Sequence, residues 1–169
     1  MPPSTSKREA ALVALKTTLA AVTKGSSYNY TFDDVLRVDG PWWERVDLDA
    51  YGKTTILFVE EGETAHSPAT HDGLYESSME VFIDAVTRYK PDSDNPLTQT
   101  TEVKSTIRSK LLADLVKSVM ANDSLSGNAK GGVWITDDAP VTADLIDRED
   151  WTGIFTRFEV KYELNEDSP

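Results

Sequence analysis

The chain has 169 residues, with 17 Lys+Arg against 29 Asp+Glu, a formal charge of −12, and no cysteine. That length is enough for an ordinary core, and the lack of cysteine excludes disulfides, thiolate nucleophiles and cysteine-ligated zinc. The acidic balance argues against gripping nucleic acid through a broad basic face, while 39% hydrophobic and 27% charged residues mark a folded chain.

A first helix is predicted from about Lys7 to Lys24. Ser6 followed by Glu9 is a capping-box pattern, and Leu12, Leu15, Leu19 and Val22 then fall on one face at helical spacing. Gly25 follows as the expected stop, since it accepts the left-handed backbone that ends a helix. Tyr28, Tyr30 and Phe32 alternate with polar residues and run on through Val35, Leu36 and Val38 to Gly40-Pro41, a strand pattern. Trp42-Trp43-Glu44-Arg45 comes next, two large aromatics beside a turn. Thr54 to Glu61 reads as a second strand whose central Ile-Leu-Phe-Val is buried on both faces. Gly62 to Gly73 carries Gly, Pro, two His and acidic groups without periodicity, and is expected to be a long loop.

A third strand is predicted over Tyr75 to Tyr89, with Met79, Val81, Ile83 and Ala85 on one face and Phe82 and Val86 on a mixed second face. Pro91 to Pro96 is turn chemistry. A second helix runs from about Thr101 to Asn122 on the stripe Val103, Ile107, Leu111, Leu115 and Val119. Three glycines between Ser126 and Gly132 then break the chain. A short strand from Gly132 ends at Asp137-Asp138-Ala139-Pro140. The last element alternates Ile154, Thr156, Phe158, Val160, Tyr162 and Leu164 with Phe155, Arg157, Glu159, Lys161 and Glu163, a long strand with one buried face. The order α-β-β-β-α-β-β predicts an α/β protein of α+β type, with a mostly antiparallel or mixed sheet of about five strands and both helices on one face. Residues 1–169 are expected to form one domain, with flexible termini at 1–5 and 165–169. The N-terminus lacks the apolar run of a signal peptide, and Ile56 to Val59 is too short to span a bilayer, so an intracellular or intracellularly assembled protein without membrane contact is expected.

No chemical motif stands out. His66 and His71 lie near Glu60, Glu61, Glu63 and Asp72, but their spacing fits no metal-ligand pattern, so they are expected in a solvated loop. Gly127 to Gly132 lacks the order of a phosphate loop and follows a helix where such a loop precedes one. Asp92 to Asn95 resembles the start of a calcium loop, but Leu97 and Val103 replace the glycine and glutamate it needs. Acidic pairs such as Asp137-Asp138 arise readily among so many carboxylates, and no G-x-S-x-G is present. An enzyme is not expected, nor a cofactor or a bound metal. Trp42-Trp43 admits two readings: an aromatic interface anchor with Arg45 beside it, or one Trp in the core and the other capping it.

The succession of a helix, then Tyr28-x-Tyr30-x-Phe32-x-x-Val35-Leu36-Arg37-Val38, a Trp-bearing turn, a buried strand, a long polar segment, an alternating strand, a second helix ending at Asn122-Asp123, and a closing Phe155-x-x-Phe158-x-Val160-x-Tyr162 resembles the tail terminator (tail completion) proteins of long-tailed bacteriophages. The resemblance runs from about Leu12 to Leu164, in element order and strand texture. It implies a sheet packed on two helices and a closed ring of subunits, usually a hexamer. Such a ring caps the head-proximal end of the tail tube, stops tube polymerisation and docks the neck of the head. The implied partners are copies of the same chain, the tail tube protein and a neck or head-completion protein, in a virion assembled in the host cytoplasm. Other readings are a neighbouring head-tail joining or head-closure protein and, further off, a small cellular α/β enzyme or adaptor. Ring closure needs two different contact patches per subunit. Trp42, Trp43 and Arg45 are the candidates for one, and Glu63, His66 and His71 in the Gly62–Gly73 segment for the other. Residues 51–100 hold 3 Lys+Arg against 9 Asp+Glu, half of the chain's acidic excess. In a ring traversed by a genome, acidic groups on the lumen repel phosphate, which makes DNA a passing cargo instead of a ligand.

Overall fold

The computed structural model describes residues 6–68, 74–89, 99–130, 132–141 and 150–165. Helix α1 spans Lys7–Ala20 and starts where expected: the Ser6 hydroxyl accepts from the Glu9 N–H at 3.2 Å. It ends four residues short of Lys24, because the chain beyond is engaged elsewhere: Phe32 N–H donates to the Val22 carbonyl and Gly25 N–H to Tyr28. The predicted first strand is confined to β1, Asp34–Val38. Tyr28 to Phe32 instead follows an irregular path fixed by one side chain. The buried Asp114 carboxylate accepts from the Asn29 N–H and Nδ2, each at 2.8 Å, and from the Tyr30 N–H at 2.9 Å. A carboxylate satisfies those amides where a strand ladder would have done so.

After β1 come a 3-10 turn at Trp42–Glu44 and the one-turn helix α2, Leu48–Tyr51, capped by Asp47 and closed by Gly52 at φ 72°. Strand β2 covers Thr55–Pro68 and β3 covers Leu74–Arg88. The expected loop at Gly62–Gly73 is corrected here: through Pro68 it is paired strand, with Thr64 to Pro68 opposite Met79 to Tyr75. A bulge between Glu61 and Thr64 hides the strand from a reading by alternation. Before the bulge the odd residues Leu57 and Val59 share a face with Ile83 and Val81; after it the even residues Thr64 and His66 stand opposite Met79 and Ser77 on that same face. Gly62 occupies the bulge because a Cβ there would lie 2.7 Å from the Phe82 ring.

Helix α3 spans Gln99–Met120, β4 spans Gly132–Pro140 and β5 spans Trp151–Asn165. The strand order is β1-β2-β3-β5-β4, with β1 parallel to β2 and the other pairs antiparallel. The α+β class, five mixed strands and element order agree with expectation; α2 and the 3-10 turn are additions. The long helices α1 and α3 pack on one face. Leu12, Leu15 and Leu19 of α1 and Leu111, Leu115 and Val119 of α3 meet Leu57, Val81, Ile83, Phe158 and Val160 of the sheet in one buried cluster. Thr156, wholly buried among them, donates its hydroxyl to the Ile83 carbonyl at 2.9 Å.

The opposite face carries a smaller cluster of Trp42, Leu48, Ile56, Phe58, Val86, Val141 and Trp151. The 3-10 turn and α2 form a partial cover here, tied down by Trp151 Nε1 donating to Asp49 Oδ1 at 3.2 Å. Gly153 on β5 lets β3 approach closely, since a Cβ would lie 2.6 Å from the Ala85 carbonyl oxygen. No helix among the described residues is long and apolar enough to cross a membrane.

Candidate functional site

The two neighbouring tryptophans have different fates. Trp42 is buried and stacks on Phe58, ring centroids 4.2 Å apart and planes 3° from parallel. Trp43 meets it edge-on, with centroids 5.8 Å apart, and stays 40% exposed. Of the two readings of the pair, this geometry matches the one with a ring in the core and the other against it: Trp42 belongs to the smaller core, and Trp43 is the presented ring. The reason is local. In a 3-10 turn successive side chains diverge by about a third of a revolution, so only one of two adjacent rings faces the sheet. Arg45, also exposed, follows directly.

Beside these rings the face away from α1 and α3 opens into a cleft of about 370 Å³. Val38, Trp42, Trp43 and Phe58 line it at the β1–β2 end, with Phe82 and Phe155 across the middle and Ala139, Pro140 and Val141 at the β4 end. Phe82 and Phe155 stack at 5.8 Å and remain partly exposed. A second bulge, between Ile135 and Asp137, shifts the register of β4 so that Ala139 stands opposite Phe155. Two acids, Glu60 and Asp84, complete the lining. Trp42 Nε1 donates to Asp84 Oδ2 at 2.5 Å, and the Gly40 N–H donates to Glu60 Oε1 at 3.1 Å. Burial pushes the Asp84 carboxyl above its usual pKa; the Trp42 hydrogen bond opposes that shift and the Glu60 charge adds to it. In the sequence Asp84 reads only as one of the polar residues, with Glu80 and Arg88, on the mixed second face of the third strand.

The second candidate patch lies elsewhere. His66 Nδ1 is 2.7 Å from the Ser77 hydroxyl, on the face that also carries α1 and α3, whereas Trp43 is on the opposite face. Glu63 is exposed at the bulge. The structure thus separates the Trp42–Arg45 group from the Glu63–His66 group. His71 lies outside the described residues, as does the Pro91–Pro96 segment. Among the described residues no group of three or more His, Asp or Glu is placed to hold a metal ion.

No protein-family description matches the chain, and no curated protein matches it in sequence. Among solved structures, it is similar to the PVC sheath/tube terminator of an extracellular contractile injection system, seen by cryo-EM in the extended state, with a TM-score of 0.33 and 12% identity. The similarity covers 94% of this chain and 58% of that one, so the chain spans less than two thirds of that protein's length. A likeness at this level is a weak one in overall fold and carries no role with it.

Proposed function

We propose that the protein is a structural assembly component of a phage-like tail, a terminator whose subunits close into a ring on the head-proximal end of the tail tube. In this reading the ring stops tube growth and presents a docking surface to the neck, and the chain has no catalytic role. The observation that carries it is the partly covered face: an apolar cleft walled by Trp43, Phe82 and Phe155, on a sheet whose other face is already filled by α1 and α3. Presented aromatic rings beside a pre-formed cleft are the usual make-up of an interface centre. The sequence resemblance to tail terminators supplies the kind of assembly. The Trp43 and His66 groups lie on opposite faces, so the cleft face can dock a different partner while other surfaces meet neighbouring copies in the ring.

The acidic stretch fits the same reading. Glu61, Glu63, Glu76 and Glu80 are carried by the paired strands β2 and β3, outside the cleft that Glu60 and Asp84 line. Placed toward the lumen, those strands present negative charge to passing DNA.

Removing the protein from an assembling phage-like particle tests the proposal. Headless tails of abnormal, extended length are expected by electron microscopy. Tails of normal length that fail to join heads would identify a head-tail joining protein instead.

A further inference from the structure

Asp84 has an oxygen that no described residue uses. The residue sits mid-strand on β3, opposite Phe58 of β2 and Phe155 of β5. Trp42 takes Oδ2, but Oδ1 is shielded from solvent and has no hydrogen-bond partner among the described residues. An unmatched buried acceptor costs roughly 1–3 kcal/mol, and an aliphatic residue there would avoid that cost. Glu60 adds a second carboxylate with only one oxygen accounted for, by Gly40. Among the described residues no basic side chain lines the cleft; Arg157 pairs with Glu80 at 3.6 Å and lies 5.4 Å from the Phe82 ring centre.

We propose that this cleft receives an arginine side chain from a basic segment of a partner protein. The side chain stacks its guanidinium among Trp43, Phe82 and Phe155 and donates to Asp84 and Glu60. Asp84 and Glu60 both line the cleft. Arginine suits the site better than lysine: its planar group stacks on rings, and its five donors reach two carboxylates at once. The volume of about 370 Å³ is at the lower end of the roughly 300–1,000 Å³ typical of ligand pockets, fit for one long side chain with its neighbours. Charge at the cleft selects a segment of opposite sign, because its two charged lining residues, Glu60 and Asp84, are both acids. The inference rests on reading this face as an assembly surface and adds the chemistry of what docks there.

The test follows the four tryptophan indole N–H signals by NMR, assigned by single Trp→Phe replacements, while acetyl-Leu-Arg-Leu-amide is added. Its citrulline counterpart, equal in shape and uncharged, is the control. The expected result is movement of the Trp42 and Trp43 signals and about tenfold tighter binding of the arginine peptide, the ratio one charge-assisted hydrogen bond gives. In Asp84→Asn, which keeps an acceptor for Trp42 Nε1, the two peptides should bind within about twofold of each other. Equal affinities in the wild type, shifts confined to Trp134 or Trp151, or no shift at millimolar peptide would each overturn the proposal. So would concentration-dependent self-association that blocks the peptide and disappears in Trp43→Ala, which would assign the cleft to a second copy. Ring assembly is scored separately by light scattering without peptide, so a failed ring and a failed arginine site give different readouts.

Discussion

The two faces of the sheet are built on different rules. On the helix-covered face, Leu57, Val81, Ile83, Phe158 and Val160 meet two amphipathic helices, and the polar Thr156 is paired by its hydroxyl to a backbone carbonyl. On the other face, among the described residues, a short turn and a one-turn helix cover only part of the strands, leaving Phe82, Phe155 and Trp43 in partial contact with solvent and one carboxylate oxygen unmatched. The first face is closed by residues that repeat with the period of their elements. The second is incomplete, with aromatic rings and acids side by side. An incomplete face has surface to offer a partner, and a complete one does not.

Mutations can break or sharpen that contrast. The largest effect is expected from Phe158→Ala on the closed face, where a ring 1% exposed leaves a cavity; the cost is about 3–5 kcal/mol in chemical denaturation. A loss below about 1 kcal/mol would mean the closed face is not the main core. Next is Gly153→Ala on the open face. Its new Cβ would lie 2.6 Å from the Ala85 carbonyl oxygen, and strand separation should cost about 1–3 kcal/mol, read as a lower Tm. An unchanged Tm would show that β3 and β5 have slack there.

A smaller effect attaches to Asp84. Its folded-state pKa is raised, chiefly by burial, so the folded chain holds this proton more tightly than the unfolded one. The stabilisation this supplies is fully present below the unfolded pKa and is lost as pH rises through the folded one. The stability of the wild type relative to Asp84→Asn should therefore fall across that interval, measured by urea denaturation at a series of pH values. A difference that stays constant with pH would contradict the burial of this acid. The smallest stability change is expected from Trp43→Ala, within about 0.5 kcal/mol of wild type. Trp42→Ala, which removes the stack on Phe58, should cost about 3–5 kcal/mol. Comparable losses from the two would erase the distinction between core ring and presented ring, whereas assembly lost in Trp43→Ala with folding intact would sharpen it.

The sequence by itself determined the parts of the fold that repeat. Both long helices, the third strand and the closing strand announce themselves through leucine stripes and strict alternation, because each buries a single face against a large apolar surface and the period records that burial. The α+β class and the helices' shared face follow from the same periods. Where one residue breaks a period, the signal ends. The bulge at Gly62 reverses the parity of β2, so Thr64 to Pro68 reads as loop although it is paired throughout. Tyr28 to Phe32 alternates like a strand yet is held by Asp114, 84 residues away from Tyr30 in the chain. The candidate site was half legible: two adjacent tryptophans were conspicuous, but which one faces out depends on the 3-10 turn that carries them. Asp84 became part of a cleft only when Phe58, Phe155 and Trp42, distant in sequence, closed around it. Periodicity is a property of one element against one surface; a cleft is made by several elements meeting, and only the tertiary structure decides where they meet.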